Sequence, residues 1–309
     1  MRLGITTRVA VLGGGHGVAA VLAALRDAPV ELTAIITTAD DGGSSGDLRR
    51  HFGGPAVGDL RRSLIALSDG TNLLATVMSQ PLETDYGRHP VGNLLIQSLM
   101  DSLGDLESST RSLGEWLGIS GRVLPASVEP VRLLADTGGR LIAGESAIGD
   151  TVDRILRLRF DPQWPRTPLA AVQAIQDADW VLLAPGSLYT STLATSALPQ
   201  IVSALARTPA RVLWLCNLDP GYGETADMNA EDHLTALRAH GVRVDGVLYD
   251  PDAKLHLVAP TLARNRLPGF AHTLQAGRRP VHDASLLAAA LESLFSAELS
   301  AAGAVAGSG

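Results

Sequence analysis

The residue types best suited to ligand chemistry lie in two short segments near the start of the chain. The first reads Gly13-Gly14-Gly15-His16-Gly17. Glycines let a backbone approach a ligand closely and adopt positive φ, and the free amides at the start of a following helix favour a phosphate. No lysine follows, which excludes a P-loop. The segment predicts either a phosphate-binding turn or a tight turn without a ligand.

The second segment, Asp40-Asp41-Gly42-Gly43-Ser44-Ser45-Gly46, adds two adjacent carboxylates. Either carboxylate could hydrogen-bond a ribose hydroxyl, bind a divalent cation or cap the next helix, and the two serines could donate to a phosphate. These residue types disfavour both helix and strand, so we expect a loop through residue 46 and a short helix only from Leu48 to His51. An exposed turn capped by its own aspartates is the alternative.

Polar residues also follow other predicted strands. Pro185-Gly186-Ser187-Leu188-Tyr189 comes directly after one apolar run, and Asn217 ends the next. Asn93 stands at the start of a predicted helix, where capping is its commoner role. Several polar, glycine-containing strand ends are hard to explain as turns alone, so we expect them to line one cleft.

The elements that must position these segments follow a regular order. Apolar runs typical of buried strands cover residues 8–12, 32–37, 180–184, 211–216 and 246–249, and an alanine- and leucine-rich helix is predicted from Val18 to Arg26. Strand, glycine turn, helix and strand make a βαβ unit. We therefore predict an α/β fold whose polar loops lie at the carboxyl ends of parallel strands.

The pattern changes between residues 121 and 160, where short apolar pieces alternate with charged residues and glycine or proline turns. Such alternation is typical of antiparallel strands with one solvated face. We predict a core formed by residues 1–120 and 161–300, a small β-rich insertion at 121–160 and a flexible tail at 301–309. Residues 262–274 read as a loop.

Composition limits the function. The 309 residues carry a net charge of −7, which argues against a nucleic-acid-binding surface. Cys216 is the single cysteine, so no intrachain disulfide forms, and its apolar neighbours indicate an inert core thiol. No apolar stretch approaches the ~20 residues of a membrane span. The N-terminus enters the first predicted strand too soon for a signal peptide, and we expect a cytoplasmic protein.

Taken in order, several segments resemble the YvcK-like family, whose members are labelled gluconeogenesis factors. They are GGGHG, TADDGGSSGDLR, GDLRRSLIAL, GNLLIQSL, APGSLYTS and NLDPGYGETADMNAEDH, and the likeness runs from Val9 to Tyr249. That family shares a superfamily with the 2-phospho-L-lactate transferases. The resemblance implies a Rossmann-like, mostly parallel, doubly wound sheet that binds a nucleotide-type ligand.

The resemblance also implies which residues line the ligand site. Together with the residue-level reading they are Gly13, Gly14, Gly15, His16, Gly17, Asp40, Asp41, Gly42, Gly43, Ser44, Asn93, Gly186, Ser187, Tyr189 and Asn217. The chain departs from the family at His16, where Thr is usual. It also departs at residues 219–225, where two residues are inserted into the family's Gln-Pro-Gly-Glu-Thr run.

The implied function is a regulator of cell shape, peptidoglycan synthesis and central carbon metabolism that binds a UDP-sugar such as UDP-N-acetylglucosamine without turnover. The alternative is a 2-phospho-L-lactate transferase-like enzyme acting on a nucleotide or deazaflavin. A dinucleotide-dependent dehydrogenase is the weakest reading, because no hydride-transfer set stands out. The sequence assigns no catalytic or metal-ligating residue, and Mg²⁺ at the Asp pair, a homodimer and a protein partner in cell-wall regulation all stay open.

Overall fold

The computed structural model describes residues 7–277 and 279–306, with side chains through residue 297. The strands are β1 (Thr7–Gly13), β2 (Val30–Ile36), β3 (Pro81–Thr84), β4 (Gly87–Pro90), β5 (Arg122–Pro125), β6 (Arg132–Asp136), β7 (Leu141–Ala143), β8 (Arg157–Asp161), β9 (Trp180–Leu183), β10 (Arg211–Leu215), β11 (Gly246–Tyr249) and β12 (Gly269–Ala271).

The helices lie between and around these strands. They are α1 (Gly15–Leu25), α2 (Gly43–Phe52), α3 (Gly58–Leu67), α4 (Leu73–Ser79), α5 (Val91–Leu103), α6 (Leu106–Leu117), α7 (Glu145–Gly149), α8 (Leu169–Gln176), α9 (Leu193–Ser196), α10 (Pro199–Arg207), α11 (Ala230–Ala239), α12 (Ala259–Asn265) and α13 (Ala284–Ala306). A π-helical turn, Leu188–Thr192, precedes α9, and a 3₁₀ turn, Gly223–Thr225, precedes α11.

Seven of the described strands form one parallel sheet in the order β12-β11-β10-β9-β1-β2-β5. The chain builds outward from β1 through β2 to β5, then returns to place β9 on the other side of β1. Connections on the two sides therefore leave in opposite directions, which makes the β1/β9 boundary a topological switch point. In open α/β sheets ligands bind outside the carboxyl ends of the strands at this point.

Both faces of the sheet are covered, and this confirms the predicted doubly wound α/β fold. Along β1, Val9 and Val11 belong to the hydrophobic core that includes α1, α3, α6 and α13, whereas Ala10 and Leu12 belong to the core on the opposite face, which includes α8, α10 and α11. Strands buried on both faces read as continuous apolar runs, and such runs were the signal that revealed them in the sequence.

Two short sheets stand apart from the central one. Strands β7, β6 and β8 form an antiparallel sheet, and β3 and β4 form a hairpin that the sequence analysis did not predict. Arg122–Pro125, the first of the pieces expected in the insertion, pairs in parallel with β2 and forms an edge of the central sheet.

Three local expectations need correction or completion. The loop predicted through residue 46 is wrong, because α2 begins at Gly43, with Gly42 as its N-cap. Residues 262–274 are not a simple loop, because they contain the end of α12 and the edge strand β12. Helix α13 continues to Ala306, into the predicted flexible tail, while residues 307–309 lie outside the described part.

Two further sequence-based expectations concern Cys216 and membrane insertion. Cys216 is fully buried, and burial raises the pKa of its thiol, as expected for an inert core residue. Among the helices that the structure describes, none is long and apolar enough to cross a membrane.

His233 is an unusual member of the core. It lies on α11 with 1% of its surface exposed, and its ring centroid is 6.2 Å from that of Trp214. Neither ring nitrogen has a hydrogen-bond partner within the described residues. Burial disfavours the imidazolium and lowers the pKa of His233 to about 4.

Replacing His233 with Phe should remove a source of acid sensitivity. The unfolded chain takes up a proton at His233 below its ordinary pKa of 6.5, whereas the folded chain does so only near 4, so the residue destabilises the fold as the pH falls between these values. From about pH 7.5 to about pH 5 the free energy of unfolding of His233→Phe should rise by about 2 kcal/mol relative to wild type. Urea denaturation of both proteins at both pH values measures these free energies of unfolding. The same mutant-minus-wild-type difference at pH 7.5 and pH 5 would contradict the prediction.

Candidate functional site

The loops after β1 and β9 meet at the switch point through their backbones. A methyl group built on Gly17 would lie 1.8 Å from the carbonyl oxygen of Pro185, so only glycine permits this approach. On the other side, a methyl group on Gly186 would lie 3.7 Å from the carbonyl oxygen of Gly14. The two glycine-containing segments therefore lie side by side at the carboxyl edge of the sheet.

Asn217 positions the loop after β9. Its Oδ1 accepts from the amide of Gly186 at 2.9 Å, and its Nδ2 donates to the carbonyl of Gly186 at 2.6 Å. The donor and the acceptor of the Asn217 side-chain amide are thus both hydrogen-bonded to the backbone of Gly186. Asn217 at the end of β10 thus acts on this loop from the neighbouring strand.

Asp59, on α3, occupies part of the turn after β1. Its Oδ2 accepts from the amide of Gly15 at 2.7 Å, and its Oδ1 accepts from Arg62. Asp59 is buried, and a side chain on Gly14 would collide with its carboxylate. An amide at the start of α1, which the sequence assigned to a phosphate, therefore already binds an internal anion.

Asp40 follows β2 beside this turn. Its Oδ1 accepts from the amide of Gly42 at 2.9 Å. Burial raises the pKa of the Asp40 carboxyl, and the negative charge of Asp59 adds to the rise, against the opposing effect of hydrogen bonds from Gly42 and Ser45. The loop itself is positioned by Arg49, whose guanidinium donates to the carbonyls of Ala39, Asp40 and Val131.

Asp41 turns away from its neighbour and contacts the insertion. Its Oδ2 accepts from the amide of Glu145 at 3.0 Å, and its Oδ1 accepts from the amide of Ser146 at 2.9 Å. These are the first amides of α7, where a carboxylate also interacts favourably with the helix dipole. The two adjacent aspartates therefore have different partners.

Ser44, in the first turn of α2, is part of a chain of hydrogen bonds that runs from His89 through Ser44 and Asn93 to Arg61. Ser44 Oγ lies 2.9 Å from His89 Nδ1 and accepts from Asn93 Nδ2 at 2.9 Å. Arg61 Nε donates to Asn93 Oδ1 at 2.9 Å, which fixes the orientation of the Asn93 amide. His89 and Asn93 are fully buried, and burial together with the neighbouring Arg62 lowers the pKa of Arg61 to about 10.

Glu224 supports the helical segment that follows Gly186 and Ser187. It is 6% exposed, and its Oε1 accepts from the amide of Tyr189 at 2.9 Å. Its Oε2 has no partner in the part of the chain that the structure describes, and burial raises the pKa of Glu224 to about 7. The buried Tyr189 hydroxyl donates to the carbonyl of Ile155 at 3.1 Å.

The edge of the cleft is strongly acidic. Glu145 lies against Gly42, and burial together with the charges of Asp40 and Asp41 raises the pKa of Glu145 to about 7. Within residues 7–277 and 279–306, no three His, Cys, Asp or Glu side chains form a group that could bind a metal ion.

Six of the predicted residues illustrate two kinds of position, exposed or engaged within the protein. His16, Gly43 and Ser187 are exposed at the first turns of their helical segments, whereas Asp41, Asn217 and Tyr189 use their polar atoms within the protein. Sequence reasoning missed His89, Glu145 and Glu224. Their partners are distant in sequence, and no local spacing signals such contacts.

The chain matches the protein family described as 2-phospho-L-lactate transferase CofD over residues 9–266. A gluconeogenesis factor of Bacillus subtilis is 36% identical over 241 residues, which cover 77% of this chain and 76% of that protein. A gluconeogenesis factor of Halalkalibacterium halodurans is 37% identical over 235 residues, which cover 75% of this chain and 73% of that protein. The chain spans about half the length of a Nostoc relative, with 37% identity and 52% of that protein covered.

The fold is also similar to a solved structure. The crystal structure of a UPF0052-family protein from Bacillus halodurans matches with a TM-score of 0.88 at 31% sequence identity. The match covers 93% of this chain and 99% of that one, so the architecture described above is shared over nearly the whole chain.

Replacing Asp41 with Ala should loosen the insertion without unfolding the core. The first amides of α7 lose a charged acceptor, and loss of such a cap costs about 0.5–2 kcal/mol. We expect a lower free energy of unfolding and faster hydrogen exchange at the Glu145 and Ser146 amides. Asp47→Ala, which removes only a surface pair with Arg50, is the control. Unchanged exchange at α7 in Asp41→Ala would contradict the assignment.

Proposed function

The chain belongs to the family of the 2-phospho-L-lactate transferase CofD, and on that premise we propose that it is a gluconeogenesis factor that binds a nucleotide sugar without turning it over. Its relatives named gluconeogenesis factors confirm the resemblance to the YvcK-like family. The proposed ligand is a UDP-sugar, with UDP-N-acetylglucosamine as the first to test. The proposed role is cytoplasmic control of cell shape, peptidoglycan synthesis and central carbon metabolism through a protein partner.

One observation carries the ligand class: the backbones after β1 and β9 meet at the switch point of the sheet. Asp59 and Glu224 already bind the Gly15 and Tyr189 amides, and the other first-turn amides of α1 and of the segment after Ser187 favour anionic oxygens at this edge. A diphosphate carries such oxygens and spans neighbouring loops. Its negative charge would face Arg61, whose two Nη groups have no hydrogen-bond partner among the described residues.

The adjacent loop supports recognition of the sugar or ribose. Asp40 accepts from the Gly42 amide through Oδ1 and also accepts from Ser45, and a carboxylate has further lone pairs that can accept a hydrogen bond from a ligand hydroxyl. Asp41 is committed to α7 and would not face the ligand. This division removes the side chain of Asp41 from the carboxylates near a diphosphate, while Asp59, which is paired with Arg62, and Glu145 stay close to it.

Binding without turnover is favoured by the state of the other carboxylates. Asp59 and Glu224 each accept from a backbone amide, and Asp59 also pairs with Arg62. Carboxylates used in this way support the loops and are poorly placed to remove a proton from a ligand. Asp59 and Glu224 are therefore better suited to holding the loops than to proton transfer.

A transferase remains the second candidate, because the family match itself carries the name of a 2-phospho-L-lactate transferase. That activity would join a phospho-acid to a nucleotide or deazaflavin. Mg²⁺ bound by Asp40 and the ligand phosphates would then offset the negative charges. Incubation with 2-phospho-L-lactate, a nucleoside triphosphate and Mg²⁺, followed by mass spectrometry, would detect the product.

UDP-N-acetylglucosamine should stabilise the protein in the presence of EDTA. A ligand that binds only the folded state at about a hundredfold excess over its Kd raises the free energy of unfolding by ~2.7 kcal/mol. Denaturation with UDP-N-acetylglucosamine, UDP, GTP and NAD as parallel ligands measures the preference. Stabilisation that occurs only when Mg²⁺ is present would favour the transferase. If no UDP-sugar stabilises the protein, the proposal is contradicted.

Replacing Asp40 with Ala should weaken this binding while the fold persists. The change removes one charge-assisted hydrogen bond, worth about 1.5–3 kcal/mol, so the Kd should rise roughly ten- to a hundredfold. Calorimetric titration of wild type, Asp40→Ala and the control Asp47→Ala measures the effect. Equal affinity in Asp40→Ala and wild type would remove Asp40 from the site.

A further inference from the structure

A second cavity lies behind the loop after β9, on the side of the insertion. Its volume is about 550 Å³, within the range of small-molecule sites. Residues 152–156 of the insertion form one wall, and the turn at 223–228 with α11 forms the other. Tyr189 and Glu224 also line it.

The walls of this cavity are mainly apolar. Ile155 and Tyr189 are buried in its lining, and Met228 contributes a flexible thioether. Val152 and Leu156, which also line the cavity, are 82% and 58% exposed. Large apolar side chains left this exposed beside a cavity would be covered by the apolar body of a ligand.

The charged groups of the lining are mostly acidic. Asp153, Glu224, Asp227 and Asp232 are opposed by Arg154 alone among the lining residues. Asp153 is already paired with Arg140 at 2.7 Å. Asp227, Asp232 and the partly protonated Glu224 therefore remain against one guanidinium, and this acidic excess favours a positively charged ligand.

Glu224 supplies a specific anchor. Its Oε1 accepts from the amide of Tyr189 at 2.9 Å. Its Oε2 is buried and has no hydrogen-bond partner in residues 7–277 and 279–306. A buried carboxylate oxygen without a donor is costly, and a small rotation of the Glu224 side chain toward an ammonium group in the cavity would supply that donor.

From these features we propose that the cavity is a second small-molecule site, which binds an organic amine with an apolar body. The ammonium group contacts Glu224 and the acidic residues of the lining, and the apolar body packs against Ile155, Tyr189 and Met228. This site does not depend on the ligand at the glycine loops. Glu224 is one of the residues that line the cavity, and through Oε1 it also contacts the segment after Gly186.

Three phenyl compounds of similar size and different charge test the proposal: phenethylamine, phenethyl alcohol and hydrocinnamate. Saturation-transfer NMR at neutral pH with the full chain measures binding of each. We expect saturable binding of phenethylamine, and affinity lower by about tenfold or more for the alcohol and the acid, because each lacks the charged donor. Absent phenethylamine binding, or equal binding of the acid, would overturn the proposal.

Variants of α11 locate the binding. Ala239 lines the cavity but is exposed, so Ala239→Trp fills the space without disturbing the core. Arg238→Trp adds the same side chain at a neighbouring position that does not line the cavity. We expect Ala239→Trp to abolish phenethylamine binding and Arg238→Trp to retain it. Binding that survives Ala239→Trp would place the amine elsewhere and overturn the proposal. UDP-sugar binding to the same variants is measured in parallel, so that a failure of the nucleotide-sugar proposal is distinguished from a failure of this one.

Discussion

The close approach of the Gly17 and Pro185 backbones is the constraint on which the rest of the site depends. Any side chain at Gly17 would overlap the Pro185 carbonyl, so the loops after β1 and β9 could not meet. The strand order places these loops beside each other at the switch point, and the missing side chain of Gly17 lets their backbones come into contact. The starts of two helical segments consequently lie side by side at the carboxyl edge of the sheet.

Carboxylates from distant parts of the chain stabilise this arrangement. Asp41 accepts from the first amides of α7, which belong to the insertion, and Glu224 accepts from the segment after Ser187. Both acidic side chains satisfy donors that a helix leaves unpaired at its start. These hydrogen bonds link the insertion to the loop after β2, and the turn before α11 to the loop after β9. Movement of one of these segments would therefore displace the segment bonded to it.

The sequence revealed the parts of the structure with strong local patterns. β1, β2, β9 and β10 were recognisable because strands buried on both faces are continuously apolar. The start of α2 was missed because its Gly-Ser-Ser-Gly has low helix propensity, which the surrounding contacts override. His89 could not be assigned, because its place depends on a short hairpin and on Ser44, which is 45 residues away. The positions of Asp40, Asn93 and Gly186 could be proposed, but their hydrogen-bond partners could not.

The hydrogen bond between Asp59 and the Gly15 amide has a thermodynamic consequence for anything that binds there. A ligand oxygen that takes this amide must exchange with a tethered carboxylate, which is always present at high effective concentration. A small inorganic anion would form one hydrogen bond with the Gly15 amide only by breaking the one that Asp59 makes, so it would compete poorly with this carboxylate. A larger ligand that contacts several loops at once can offset the exchange, so the internal competitor works as a filter for ligand size.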